Sequence, residues 1–193
     1  MTKWLSHRMV ERGIIKEEEL ELYQFGIRNG MILLLNVVTA LVIGLLTEQL
    51  AVVAVFTLSF MVLRSYTGGY HSDSRVFCYL GSNLVLLVPV YTQAVFYKTS
   101  LAWLLAVLLV SAGIIFLLSP MHSKNRKLDK EEQKHFGRKA RLIAALELAV
   151  LGILWHAGQI PYAYAVYTGI CITALFMLVG KAQLWIQSHT ENG

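Results

Sequence analysis

Two residues of this 193-residue chain have the types needed for thiol chemistry and stand near each other: His71 and Cys78. They lie in the run Arg64-Ser65-Tyr66-Thr67-Gly68-Gly69-Tyr70-His71-Ser72-Asp73-Ser74-Arg75-Val76-Phe77-Cys78, a polar, glycine-containing segment between two apolar stretches. A thiol becomes a useful nucleophile when a neighbour stabilises its thiolate, and imidazole is the usual neighbour. The seven-residue spacing sets a condition. On one straight helix the two side chains would share a face but stand about 10 Å apart along the axis, too far for a hydrogen bond. If they work together, the chain folds back before the second helix begins. Gly68-Gly69 permits the turn, Ser72 or Ser74 can cap the helix that follows, and Asp73 would sit near its positive end. The plainer reading of the same residues is a solvated histidine at a membrane edge and a cysteine used for packing.

Other chemistries find little support. There is no His-Glu-x-x-His pair for a zinc protease, no phosphate-binding glycine loop and no Gly-x-Ser-x-Gly nucleophile turn. No metal site and no cofactor are expected. Cys171 lies in an apolar stretch and reads as packing, and two cysteines make no disulfide scaffold. The acids Glu17–Glu19 and Glu131–Glu132 read as solvated helix faces.

The elements that position this segment are written in the composition. Apolar residues make up 56% of the chain and charged residues 15%, with a mean hydropathy of +0.56. Too little polar surface is available for a soluble domain, and too much hydrophobicity for disorder. The fold class is all-α and polytopic, since the apolar runs are continuous and do not alternate as barrel strands do. Six spans are expected, at Met31–Thr47, Gln49–Leu63, Val76–Tyr97, Leu101–Ser119, Leu142–Gln159 and Tyr162–Gly180. The first two are short and divide at Glu48, and Pro89 kinks the third. Counted across this pattern, sixteen of the seventeen Lys and Arg fall on one side and Lys98 alone on the other. That bias places both termini in the cytoplasm. It also accounts for the formal charge of +5 through anionic lipid, without a nucleic acid.

The domain reading follows. Residues 1–30 form cytoplasmic amphipathic helices on the membrane surface, the first around Trp4, Leu5, Met9 and Val10 with Gly13 as its stop, the second from near Glu17. Residues 31–180 form the membrane domain, with the reactive segment at 64–78 and a basic loop at 121–141, and 181–193 form a cytoplasmic tail. No cleavable signal peptide is expected. Glu147 lies roughly 9 Å along its helix from Arg141 and should face the bundle interior or a wet cavity, where it could pair with Arg64 or line a peptide cleft; a structural polar contact is the plainer reading and is favoured over a catalytic role.

The block Arg64-x-x-x-x-Gly69-x-His71 followed by Cys78 resembles the signature of the AgrB family, accessory gene regulator protein B, bacterial membrane endopeptidases that process the precursor of a cyclic autoinducer peptide. The resemblance runs from about residue 5 to 180 and includes Glu18, Glu19 and Tyr23 before Gly26, and Ser119-Pro120-Met121-His122 before the basic run 124–127. It implies Cys78 as nucleophile, His71 as its activating base, and Arg64 and Gly69 as supporting residues, with Lys124, Arg126 and Lys127 acting in peptide processing. It implies a bacterial cell membrane location and, as substrate, a propeptide related to AgrD: an amphipathic N-terminal helix, a central cysteine or serine, and an acidic tail. A homodimer is compatible with this, although no small-xxx-small stripe stands out. The rival class is a non-enzymatic membrane peptide exporter or binding protein, in which the Cys78 segment would be a packing junction.

Overall fold

The computed structural model describes residues 2–68, 75–121 and 129–190. Among these residues every regular element is helical and none is a strand. The chain is an all-α membrane protein. It divides into two compact units, residues 1–39 and 40–193.

In the N-terminal unit, α1 (Thr2–Glu11) carries an exposed Trp4 with the Arg8 guanidinium 4.8 Å from its ring. Gly13 ends the helix at φ 67°, and the Ile14 amide returns to the Met9 carbonyl at 2.9 Å. A left-handed residue just past a helix is where glycine costs least. A single 3-10 turn, Glu17–Glu19, follows, and the Glu19 carboxylate accepts from the Lys16 amide at 3.2 Å. Helix α2 (Leu20–Leu46) begins here and ends in the second unit.

The second unit explains the split at Glu48. Glu48 adopts φ 57°, and the Gln49 amide reaches back to the Gly44 carbonyl at 2.9 Å. This closes α2 and turns the chain into α3 (Leu50–Thr67). A side chain on Gly44 would come within 2.9 Å of the Leu50 backbone, so the hairpin closes tightly only with glycine there. The stretch expected at Val76–Tyr97 forms two helices, α4 (Arg75–Tyr91) and α5 (Gln93–Lys98), broken at Thr92 just beyond Pro89. Proline supplies no amide to the carbonyl one turn earlier, and the helix gives way nearby. The remaining helices are α6 (Leu101–Leu118), α7 (Lys130–His156) and α8 (Ile160–Thr190).

Three of these, α3, α6 and α8, are long and apolar enough to cross a membrane, and Gly30–Leu46 and Tyr79–Tyr91 are shorter apolar helices. Helix α8 is the axis: 67% of its apolar stretch is buried, against 11% for α6, which lies at the periphery. Small residues make this possible. Ala163, Ala165, Gly169 and Ala174 let neighbouring backbones approach, while the Thr168 and Thr173 hydroxyls donate to carbonyls one turn back at 2.8 Å. Two apolar clusters flank α8. One joins Leu63, Leu108, Ile115, Ala144 and Ile170, and the other joins Ala40, Val53, Phe56, Leu86 and Ile172.

Candidate functional site

The site is built where α3, α6 and α7 meet at one end of the second unit. Helix α3 ends at Thr67, and Gly68 leaves it with φ 72° and ψ −151°. This backbone lies against the strand of chain that follows α6. The Met121 amide donates to the Thr67 carbonyl at 2.8 Å, and a Cβ on Gly68 would stand 2.5 Å from the Met121 carbonyl oxygen. Both the sign of φ and the close approach therefore require glycine at 68. On the other side, a Cβ on Gly137 of α7 would stand 3.0 Å from the Pro120 ring. Sequence reasoning assigned neither glycine a packing role, because each contact joins residues far apart in the chain.

Arg64 occupies the last turn of α3. Its Nη1 donates to the Gly68 carbonyl at 3.0 Å, and its guanidinium carbon lies 5.0 Å from the Phe176 ring of α8. A cation held this way braces the turn at Gly68. Two residues on, Tyr66 meets the Phe136 ring at 6.4 Å and the Lys139 ammonium at 5.8 Å. The basic start of α7 thus stands beside the end of α3. Arg141 closes the same corner by donating from Nε to the Phe116 carbonyl at 3.1 Å. The acids at the start of α7 have a structural task that the sequence reading missed. Asp129 accepts from the Glu132 amide at 2.7 Å, and the Glu132 carboxylate lies 3.4 Å from the Asp129 amide. This is a capping box, and its signal, an Asp three residues before a Glu, was legible.

Glu147 lies deeper in the bundle. Its Oε2 accepts from the buried Ser59 hydroxyl at 2.8 Å, which joins α7 to α3. Gly169 of α8 completes this node, since a Cβ there would stand 2.5 Å from Ser59 Oγ. Glu147 faces the bundle interior, as a carboxylate in an apolar helix should.

Cys78 falls in the first turn of α4, which is described from Arg75. His71, Gly69 and Asp73 lie outside the described residues, as do Lys124, Arg126 and Lys127. Among the described residues, no group of three or more His, Cys, Asp or Glu is placed to hold a metal ion. Cys171 is free and half-buried in α8.

The profile of the family described as AgrB, Accessory gene regulator B, matches residues 1–178. The chain belongs to the AgrB family. An accessory gene regulator protein B of Staphylococcus intermedius is 26% identical over 156 residues, covering 79% of this chain and 80% of its own. An AgrB-like protein of Clostridium perfringens strain SM101 is 23% identical over 148 residues, covering 74% of this chain and 69% of its own. A second, from strain 13, is 24% identical over the same length. No solved structure matches. Family membership assigns this AgrB chain a role in the accessory gene regulator quorum-sensing system, at the membrane.

Proposed function

We propose that this AgrB protein is a membrane cysteine endopeptidase that removes the acidic tail of an AgrD-like propeptide and closes the remaining segment into a thiolactone or lactone. The observation that carries this reading is where the helices stop. Helix α3 ends at Thr67, Gly68 turns away at φ 72°, and Cys78 belongs to the first turn of α4. In the sequence His71 comes between these two helix ends, and a pairing with Cys78 requires a position off the helix that carries the cysteine.

In this reading the Cys78 thiol gives its proton to His71, and the thiolate attacks the carbonyl at the end of the future ring. An S–C bond forms and the C–N bond breaks. The tail departs as an amine that takes the proton from the imidazolium. The propeptide is left as a thioester on Cys78. Its own thiol or hydroxyl then attacks that carbonyl, His71 carries the proton, and Cys78 is released as thiol or thiolate. No water is consumed and nothing is oxidised. A well-oriented internal nucleophile has an effective molarity of up to about 10⁵ M or more, which lets ring closure compete with hydrolysis. Arg64 and Gly69 support the turn, Asp73 acts as a supporting residue two positions before Arg75 in the sequence, and Lys124, Arg126 and Lys127 receive the acidic tail. Glu147 borders the path of the peptide. Six spans with both termini cytoplasmic place all of this on the cytoplasmic face, with residues 1–30 on the membrane surface.

The test is reconstitution with the cognate propeptide. Cys78→Ala and His71→Ala are expected to abolish tail release, and Cys78→Ser to reduce it at least about a hundredfold, since the hydroxyl is a far weaker nucleophile at neutral pH. Mass analysis separates a ring from the linear acid, which is heavier by one water. An exporter would keep its function in Cys78→Ala, and that result would sink the peptidase reading.

A further inference from the structure

At the end of the bundle remote from Cys78, a cavity of about 270 Å³ lies among α5, α6, α7 and α8. We propose that it holds one acyl chain of an anionic phospholipid, with the phosphate beside Lys98. This inference is independent of the peptidase reading.

The shape of the cavity argues for an acyl chain. Its α6 wall runs from Leu101 to Leu108, two helical turns and roughly 10 Å along the axis, long enough to lie beside a segment of an acyl chain. Leu108 at the deep end is buried, whereas Leu105 is 49% exposed on the outside of the bundle. The cavity is therefore a cleft that opens sideways, on the helix that gives most of its surface to the surroundings. Gly152 of α7 lines the opposite wall, and nothing lies within 4 Å of where its Cβ would be. An apolar cavity of about 150 Å³ stays dry and takes up an apolar guest. This one is larger and faces hydrocarbon, so hydrocarbon is the guest available.

The rim supplies the charge. His156, exposed at the end of α7, lines the cleft beside Trp155. Lys98 ends α5, two residues after Phe96 and three before Leu101, both of which line the cleft. Lys98 is also exposed and is the only Lys or Arg between Arg75 and Lys124. Lys98 does not line the cleft, but an exposed cation this close in sequence to two lining residues is complementary to a phosphodiester above an acyl chain held there.

Trp155 serves as the reporter. The full-length protein carrying Trp4→Phe, Trp103→Phe and Trp185→Phe keeps Trp155 as its single tryptophan. It would be placed in vesicles of phosphatidylcholine and phosphatidylglycerol whose acyl chains are brominated on one lipid at a time. Bromine quenches only on contact. Brominated phosphatidylglycerol is expected to quench Trp155 several-fold more per mole than brominated phosphatidylcholine, and Lys98→Gln to remove that preference. Gly152→Leu, which fills the cleft, is expected to lower the quenching by half or more. Leu105→Phe fills it from the α6 side if the first variant does not fold. Quenching that neither filling variant changes would mean contact with bulk lipid alone and would overturn the site. Equal quenching by the two lipids would overturn the anionic assignment. No quenching at any lipid fraction would mean that a protein segment or a second copy occupies the cleft, and would overturn the proposal outright.

Discussion

At Gly169 the room for a side chain is already taken by Ser59 Oγ, which is itself engaged with Glu147. A methyl group at 169 must push α8 away from α3 or displace the serine. Gly169→Ala is expected to destabilise the protein by about 1–3 kcal/mol, as overpacking does. Ser59→Ala removes the obstructing oxygen but strips Glu147 of this partner, at about 1–3 kcal/mol. The double variant should cost less than the sum of the two, because the second change clears the space that the first needs. Thermal unfolding in detergent measures this, and strict additivity would mean that the two residues do not share the space. The sequence showed that Glu147 faces inward, because a carboxylate inside an apolar helix has few other places to go. It did not show Ser59, which is 88 residues away and is one hydroxyl among many. The resemblance singled out Arg64, but its seat against Phe176 of α8 and the Gly68 carbonyl could not be read from the sequence. Type and spacing marked His71 and Cys78 as candidates and set one condition, that a single straight helix cannot join residues seven apart; their roles came from the family resemblance.

Helix α4 carries Cys78 at one end and a break at the other, and that break is clasped from outside. The Thr92 hydroxyl donates to the Val88 carbonyl at 2.8 Å and lies 2.5 Å from the hydroxyl of Tyr164, which is buried in α8. Tyr164 also reaches the Val88 carbonyl at 3.4 Å, and its ring packs on Phe96 at 4.8 Å. Pro89 made a kink legible in the sequence. The breakpoint at Thr92 was not legible, because it depends on a tyrosine 72 residues later. Tyr164→Phe keeps the ring contact and removes only the hydroxyl, and Thr92→Val removes its partner. Each is expected to cost about 1 kcal/mol, and the pair little more than the larger single change, since both delete one interaction. Chemical denaturation of the four proteins tests this, and a double loss equal to the sum would sever the clasp from the break. The other boundaries were easier to read. Glu48, Pro120 and Pro161 each stand within two residues of a helix end, because each interrupts an apolar run with a residue that favours a turn or a start.

For the whole molecule, the distribution of charge says more than its total. Sixteen of the seventeen Lys and Arg fall on one side of a six-span pattern, and the described helices follow the six apolar stretches in order, with only the third broken in two. The helices were legible because continuous apolar runs show without a partner, although only α3, α6 and α8 are long and apolar enough to cross a membrane. Which helix lies at the centre was not, since α6 is more apolar than α8 yet far less buried. Small residues, not hydrophobicity, bring α8 to the axis. If the basic loop and Cys78 share the cytoplasmic face, the loop's charge acts on the tail of the propeptide. Lys124, Arg126 and Lys127 precede α7, whose Lys139 already stands 5.8 Å from Tyr66 at the end of α3. Exposed charge pairs contribute about 0.5 kcal/mol each, so losing all three attractions raises KM for tail cleavage roughly tenfold, and reversing the three to Glu, which adds repulsion, is expected to raise it by more than that. Wild-type cleavage should also slow as salt rises, because the screening length falls from about 10 Å at 0.1 M to about 3 Å at 1 M. The reversed variant should lose that slowing or invert it. Membrane insertion, followed by the yield of protein in the membrane fraction, is expected to stay unchanged if the remaining basic residues keep the loop inside. A cleavage rate that ignores both salt and the sign of these three charges would leave the loop with orientation as its only task.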